Sequence, residues 1–452
     1  MMRTSTLRRV GAALGLSLAL AAGLSGCGLK TPHVPFTGAK KVEPKIKGER
    51  IPVLSLNQKL EASPALKDIG FALGAPTAQA NWPVSGGNAE HAIEHVQAGD
   101  QFKIAWRRKI GAGDSRTTRI IDQPVVSDGV LYVLDGKAKV SALDAASGKP
   151  IWSTDLAPHK GRDQEALGGG LAVDGGHVLM ASGYRFAASL DAKTGKLEWK
   201  TETAAPLHGA PAIGGGRIYV VDTLDQLHAF DEATGVESWS YQALEEPARI
   251  EIASSPAIFG DLVIAPFASG ELTALRASNG NDVWSYVLSL TNRNNALSEI
   301  RDIAGLPVVF RGQVIAASHS GVMASVDIKS GQPRWSQPIT AISTPWVSGD
   351  VVFIMDLSGQ LMCLSRESGQ AYWIKSLNGP LRKKFRASWS GVILASNRLV
   401  AVSSKGELRG FDPKTGDKVA SLRIGEGATL APIAADGLLY VVTDQGDVVA
   451  VR

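Results

Sequence analysis

Short apolar stretches and polar turns follow one another along most of this chain. Apolar runs of strand length lie between turns rich in Gly, Asp and Asn, as in "SSPAIFGDLVIAPFASG", and such runs are typical of β-strands. The turn in "SLDAKTGKLEWK" (Ser189–Lys200) recurs along the chain, each time with a Gly four residues before a Trp. We therefore expect one repeated all-β unit rather than several unrelated domains.

The positions of the repeated turn set the period. A seventh copy, "FDPKTGDKVA", has Gly416 but carries Ala420 in the Trp position, and Trp106 occupies the same strand position upstream without a preceding turn. Successive positions from Trp106 to Ala420 lie 38 to 51 residues apart, which suits four short strands and their turns. The complete copies contain Gly148, Gly195, Gly235, Gly280, Gly331 and Gly369, paired with Trp152, Trp199, Trp239, Trp284, Trp335 and Trp373.

The strand before each turn can be aligned across the copies. Small residues let neighbouring sheets approach, and the larger apolar residues that follow them fill the space between the sheets. Cys363 belongs to the small column, so we expect it to have a packing role rather than a catalytic one. The small column is Ala142, Ser189, Ala229, Ala274, Ser325, Cys363, Gly410 and Ala450.

The two ends of the repeat region complement each other. After the seventh turn the chain runs through three more strands to Arg452, while the strand with Trp106 is left over at the other end. We therefore predict an all-β, eight-bladed β-propeller of four-stranded antiparallel blades over residues 102–452, in which the N- and C-terminal strands share one blade. An open solenoid would not explain why the extra strand at one end is the one that the three-stranded unit at the other end lacks. Closure of the ring also removes exposed sheet edges.

The first residues have the pattern of a lipoprotein signal. Arg8 and Arg9 precede an apolar run that is too short for a typical membrane-spanning helix and ends in Leu-Ser-Gly-Cys at Cys27. This resembles the bacterial lipobox, in which the Cys is acylated after cleavage. We expect a signal peptide over 1–26, a lipidated Cys27 with a flexible tether over 27–80, and a lead-in segment over 81–101. Gly28 in place of Asp favours an outer-membrane location facing the periplasm.

Charge argues against nucleic acid as a partner. The chain has 47 Lys and Arg and 43 Asp and Glu, and cleavage after residue 26 would remove Arg3, Arg8 and Arg9, leaving 44 basic residues. A nearly neutral protein has no general attraction for polyanions. A local exception is the basic loop "LRKKFR" (Leu381–Arg386), which suits either a solvated loop or contact with an acidic partner.

The unit D-x-x-[TSN]-G-x-x-x-W resembles the tryptophan-docking repeat of the pyrroloquinoline quinone (PQQ) dehydrogenases and their non-enzymatic relatives, over about residues 100–452. The dehydrogenases are longer and often contain adjacent cysteines, whereas this sequence has neither such a pair nor a C-x-x-C-H motif. The lipobox, the tether and the compact blades are similar to the BamB family of the outer-membrane β-barrel assembly (BAM) machinery. This resemblance implies a non-enzymatic scaffold with no cofactor, metal or catalytic residues. The alternative is a periplasmic PQQ-dependent quinoprotein dehydrogenase.

The resemblance also implies partners, namely the periplasmic POTRA domains of BamA, other BAM subunits and unfolded outer-membrane protein clients. In the BamB family the contact with BamA lies on loops of adjacent blades, which align here with "ARIEIASSPAIFG" and "LSEIRDIAGLPVVF". Ile250 keeps an apolar position and Asp302 an acidic one, whereas Glu251 replaces an Arg. We expect Ile250 and Asp302 on surface loops. The predicted partner-binding residues are Arg249, Ile250, Glu251, Arg301 and Asp302.

One further motif, "HAIEH" (His91–His95), has the H-x-x-E-H spelling of a class of zinc proteases. The segment is short, precedes the propeller and has no evident third ligand. We therefore expect a solvated helical turn here rather than a metal site.

Overall fold

The computed structural model describes residues 60–158, 168–246, 250, 254–289, 300–381 and 383–452. Within these ranges the chain forms eight four-stranded antiparallel sheets, which confirms the predicted eight-bladed propeller. Each blade begins with its innermost strand, next to the axis, and ends with its outermost strand. Short 3-10 turns lie at Pro64–Leu66 and Lys383–Phe385. None of the helical segments in the described ranges has the length and hydrophobicity to cross a bilayer.

The first four blades follow one another along the chain. Blade 1 contains β2 (Val125–Ser127), β3 (Val130–Leu134), β4 (Lys139–Asp144) and β5 (Pro150–Asp155). Blade 2 contains β6 (Gly169–Asp174), β7 (His177–Ser182), β8 (Phe186–Asp191) and β9 (Leu197–Glu202). Blade 3 contains β10 (Ala212–Gly214), β11 (Arg217–Val221), β12 (Gln226–Asp231) and β13 (Glu237–Gln242). Blade 4 contains β14 (Ala257–Phe259), β15 (Leu262–Pro266), β16 (Glu271–Arg276) and β17 (Asp282–Val287).

The next three blades continue the same order, and the eighth combines both ends. Blade 5 contains β18 (Val308–Phe310), β19 (Gln313–Ala317), β20 (Met323–Asp327) and β21 (Pro333–Gln337). Blade 6 contains β22 (Trp346–Ser348), β23 (Val351–Met355), β24 (Gln360–Ser365) and β25 (Ala371–Ser376). Blade 7 contains β26 (Trp389–Ala395), β27 (Arg398–Ser403), β28 (Glu407–Phe411) and β29 (Lys418–Arg423). Blade 8 contains β30 (Ile433–Ala435), β31 (Leu438–Val442), β32 (Asp447–Val451) and β1 (Ile104–Lys109).

Ring closure follows the prediction, because β1 is the outermost strand of blade 8 and pairs antiparallel with β32. Trp106 lies opposite Ala450 in this pair, in the same register that places Trp152 opposite Ala142 in blade 1. The small column is fully buried wherever it faces a Trp, as at Cys363 opposite Trp373. Backbone hydrogen bonds between the two chain ends therefore close the ring.

The Trp column joins each blade to the next, except between blades 7 and 8, where Ala420 stands in the Trp position. The Trp152 indole N–H donates to the carbonyl of Ala192 in the following blade (2.9 Å), and the Trp106 indole donates to Ala145 (3.1 Å) in the same way. The turn glycine of the following blade lies against the indole ring, so that a Cβ built on Gly195 would stand 2.4 Å from Trp152. Positive φ and this close approach together require glycine at the turn. The repeated turn is thus the joint between blades.

Two ends of the propeller can now be distinguished. The turns between the first and second and between the third and fourth strands of each blade lie at one end, called here the turn face. The connections between blades and the loops between second and third strands lie at the other end, called the linker face.

The lead-in segment caps the axial channel at the turn face. Trp82 exchanges two backbone hydrogen bonds with Val126 of blade 1 (2.7 and 2.8 Å), and later residues bond in turn to blades 2, 4, 5, 6, 7 and 8. Val96, for example, bonds to Leu394 and Ser396 of blade 7. Trp82 is 1% exposed. The chain's own backbone therefore fills this end of the channel.

Residues 60–80, which the sequence analysis assigned to the tether, are attached to the propeller. The Ser63 N–H donates to Ala371 on blade 6 (2.8 Å), and the Asp350 N–H donates to Ala72 (3.0 Å). The tether assignment is therefore wrong for 60–80. The remaining tether residues, Cys27 and the signal segment lie outside the described residues.

Candidate functional site: a patch between blades on the linker face

The predicted partner-binding residues lie on two successive connections of the linker face. Ile250 belongs to the connection between β13 and β14, and Arg301 and Asp302 belong to the connection between β17 and β18. Arg249 and Glu251 lie outside the described residues. Neighbouring blades bring these two connections side by side, so the structure places Ile250 and Asp302 together as expected.

A hydrogen bond joins the two connections. The backbone N–H of Ile250 donates to Oδ2 of Asp302 at 3.0 Å, across 52 residues of sequence. A second bond runs from Oγ of Ser254 to the carbonyl of Gly305 at 3.0 Å. These bonds fix the position of the half-buried Ile250 on the linker face.

Asp302 itself is not a surface charge. Its residue is only 7% exposed, and its backbone carbonyl also accepts the His319 N–H at 2.9 Å. The expectation that both side chains lie exposed on loops is therefore wrong for Asp302. Its carboxylate is directed into the protein because it satisfies a backbone donor of the neighbouring connection. Asp302 thus shapes the patch, and a partner would meet the residues that it positions.

A second buried carboxylate, which the sequence did not predict, lies close to the first and also braces the patch. Asp225, on the loop between β11 and β12, is 1% exposed and accepts the N–H groups of Glu246 and Ala268, both at 3.1 Å. It ties blade 3, the β13–β14 connection and blade 4 together. The loop and the connection that it braces carry two strongly exposed leucines, Leu224 (45%) and Leu244 (65%). Only the long-range contacts reveal this brace, since the repeat places acidic residues at many turns.

The patch therefore combines exposed apolar side chains, Leu224, Leu244 and half-buried Ile250, with a frame fixed by buried carboxylates. Apolar anchors on a rigid frame are typical of protein-binding surfaces.

A histidine lies beneath the patch in blade 3. Burial alone would lower the pKa of His228, but hydrogen bonds with Asp222 (3.2 Å) and Glu237 (3.0 Å) outweigh it and raise that pKa. Both ring nitrogens are occupied by carboxylates, so neither is available to activate a nucleophile. His228 therefore acts as an internal cross-link.

The H-x-x-E-H motif is structural, and its predicted form was wrong. The segment is neither helical nor solvated, because His91 is 4% exposed and His95 is 1% exposed. His91 Nδ1 bonds to the Pro307 carbonyl (2.8 Å), and His95 bonds to Gly74 (2.8 Å) and to the Asn397 N–H (2.9 Å). Burial lowers the pKa of His91 to about 4 despite its backbone hydrogen bond. Both histidines thus fasten the cap.

The axial channel is narrow beneath the cap. Beneath the cap lies a cavity of about 30 Å³ between Trp82, His91 and Trp346, whereas ligand pockets usually measure about 300–1,000 Å³. Among the described residues no group of three His, Cys, Asp or Glu side chains lies close enough to hold a metal ion. Cys363 is buried in its small-residue slot, and burial raises the pKa of its thiol.

Family comparisons agree with the repeat. A family model described as "Outer membrane protein assembly factor BamB" matches residues 158–375. A second model, described as "Glucose/ethanol/alcohol dehydrogenase, beta-propeller domain", matches residues 94–196. The chain is 26% identical to outer membrane protein assembly factor BamB of Escherichia coli K12 over 351 residues, which are 77% of this chain and 88% of that protein.

Solved structures show the fold alone. The crystal structure of BamB from Moraxella catarrhalis matches with a TM-score of 0.65 and 18% identity, covering 76% of this chain and 99% of that one. A quinohemoprotein alcohol dehydrogenase from Pseudomonas putida matches with a TM-score of 0.63 and 16% identity, covering 80% and 75%. The two TM-scores are nearly equal, so the backbone does not separate an assembly factor from a dehydrogenase.

Proposed function

Because the chain belongs to the PQQ-like-repeat β-propellers and is a relative of the BamB assembly factors, we propose that it is a non-enzymatic scaffold of the BAM complex. It is anchored through a lipid on Cys27 to the outer membrane, faces the periplasm and assists the folding and insertion of outer-membrane proteins. It binds the POTRA region of BamA through the patch around Ile250.

The hydrogen bond between Ile250 and Asp302 carries this proposal. It unites the two connections that the resemblance to BamB marks as contact loops, through a buried carboxylate that accepts a backbone N–H. The cap adds a rigid end to this scaffold, because residues 82–99 form backbone hydrogen bonds with blades around the ring.

Capture on immobilised BamA POTRA domains tests the proposal. Ile250→Asp removes an apolar anchor, and loss of such an anchor costs about 2 kcal/mol or more, which is roughly thirtyfold in affinity. Ile151→Asp is the matched control, since Ile151 is 50% exposed on the outer strand of blade 1. We expect the control to bind like wild type.

Asp302 requires a conservative variant because it is buried. Asp302→Asn keeps an oxygen that can accept the Ile250 N–H, whereas Asp302→Ala removes it, so we expect only Asp302→Ala to weaken capture strongly. Wild-type affinity in folded Ile250→Asp and Asp302→Ala proteins would show that this patch is not the BamA contact. Stoichiometric uptake of PQQ with Ca²⁺, seen by absorbance, would instead favour a dehydrogenase.

A further inference from the structure

A second exposed apolar surface lies on the linker face, away from the Ile250 patch. It is formed by the connection between blades 6 and 7, which contains the basic loop Leu381–Arg386. Leu381 is 48% exposed and Phe385 is 52% exposed, and Leu357 on the neighbouring loop of blade 6 is 46% exposed. We call these side chains and the cations around them the blade 6–7 surface.

Hydrogen bonds within this connection fix its conformation. Asn378 is 7% exposed, and its side chain both accepts the Ala387 N–H (2.9 Å) and donates to the Ala387 carbonyl (3.0 Å). The Arg386 Nε donates to the Leu381 carbonyl at 3.0 Å, and a 3-10 turn covers Lys383–Phe385. The loop is therefore closed on itself with its apolar side chains outward.

Neighbouring loops hold this connection in place. Lys405, on the loop between β27 and β28, donates from Nζ to the Phe385 carbonyl. Arg409 donates to the Leu377 carbonyl (3.1 Å) and stacks on Trp389, with 4.5 Å between the guanidinium and the ring centroid. Gly359 approaches the Asn378 amide so closely that a Cβ would lie 2.7 Å from Nδ2. A pre-organised loop loses little conformational entropy when it binds.

The charge of the surface is positive. The sequence from 382 to 386 contains four basic residues and no acid. The Lys384 ammonium lies 4.9 Å from the centroid of the Phe385 ring, and Arg386 and Lys405 are exposed. Phe and Arg side chains are enriched at protein interfaces, where cations on the rim select partners of opposite charge.

We propose that the blade 6–7 surface docks an acidic, apolar segment of another protein, with Leu357, Leu381 and Phe385 taking its apolar side chains and Lys384, Arg386 and Lys405 meeting its carboxylates. This goes beyond the proposed contact with BamA and does not depend on it. A bilayer covering the whole linker face would also meet exposed Glu245 and Glu426, whereas a segment lying across one connection meets mainly cations. The charge distribution therefore favours a protein segment over anionic lipid.

The test uses the full-length protein in detergent and a fluorescent peptide of about a dozen residues that alternates Asp or Glu with Phe or Leu. Fluorescence anisotropy is expected to show binding that weakens with salt, and the same peptide with Lys in place of the acids is expected not to bind. The double variant Lys384→Glu, Arg386→Glu is expected to weaken binding at least about tenfold. Lys329→Glu, an exposed lysine on the turn face, is the matched charge control and is expected to bind like wild type.

A second variant tests the apolar part without changing charge. Phe385→Ser should weaken peptide binding by about tenfold, whereas Val236→Ser, at a residue that is 64% exposed on the turn face, should not. Equal binding by wild type and both loop variants, or equal binding of the acidic and basic peptides, would overturn the proposal. So would binding to phosphatidylglycerol vesicles without binding to the peptide. Capture by BamA serves as a separate readout that these variants should leave unchanged.

Discussion

Replacing Gly235 with Ala is expected to break one joint between blades without touching the patch on the linker face. Gly235 has φ +71° and lies under the indole of Trp199, so that an added Cβ would stand 2.4 Å from Cε3 and 2.9 Å from Oγ1 of Thr201. The same indole donates to the Glu232 carbonyl at 3.0 Å. Gly216 provides a matched control in the same blade, since it also has φ +71° but no atom within 4 Å of its added Cβ.

The two variants share one penalty and differ in another. A non-glycine residue in the left-handed region costs about 1–2 kcal/mol, and both variants incur it. Gly235→Ala must also displace the Trp199 ring, for which overpacking costs typically about 1–3 kcal/mol, and displacement weakens a hydrogen bond worth about 1 kcal/mol. We therefore expect Gly235→Ala to be less stable than Gly216→Ala by about 2–4 kcal/mol.

Equilibrium urea denaturation followed by circular dichroism measures this difference, with both variants and wild type under the same conditions. A lower midpoint for Gly235→Ala than for Gly216→Ala is the expected result. Equal midpoints would refute the close-approach argument, because the shared backbone penalty would then explain everything. Trp199→Phe provides a second check, since it removes the indole donor while keeping an aromatic ring at the joint.

Three further predictions concern closure, pH and anchoring. Deleting residues 447–452 removes β32, whose buried valines each contribute about 1.5–3 kcal/mol, so the melting temperature should collapse; an unchanged melting temperature would contradict ring closure. The pKa of His91 is about 4 in the folded protein and about 6.5 in the unfolded chain. The stability that neutral His91 contributes is therefore fully present above pH 6.5 and decreases as the pH falls towards 4, by up to about 3 kcal/mol. Urea titrations at several pH values should show a weaker pH dependence of stability for His91→Gln than for wild type. Cys27→Ser should abolish acylation and move the protein from the membrane fraction to the soluble or unprocessed pool, whereas an unmodified Cys27 in the wild-type mass spectrum would exclude the anchor.

Blade architecture could be predicted because its signals are local. A turn needs Asp and Gly at fixed positions within a few residues, and the Trp follows the turn at constant spacing, so one copy of the repeat reveals the others. The number of blades came from counting these copies, and pairing of the Trp106 strand with β32 followed from the count. Cys363 could be assigned to packing from its column alone.

The candidate site was predictable only in part. The resemblance to the BamB family placed Ile250 and Asp302 on adjacent connections. In the structure, a hydrogen bond from the Ile250 N–H to the Asp302 carboxylate joins these connections. The resemblance did not reveal that Asp302 is buried, because the donor that orients its carboxylate lies 52 residues away in sequence. The Asp225 brace could not be predicted for the same reason. The two N–H groups that its carboxylate accepts lie on the β13–β14 connection and in blade 4.

Only the tertiary structure determined that residues 60–101 pack against the propeller. Their sequence has no period, so nothing local distinguishes a tether from a segment that binds the propeller. Buried His91 and His95 find their hydrogen-bond partners on residues that come together only when the ring has closed. A repeat determines its own fold through short-range spacing, whereas a cap depends on backbone donors and acceptors that many blades supply at once.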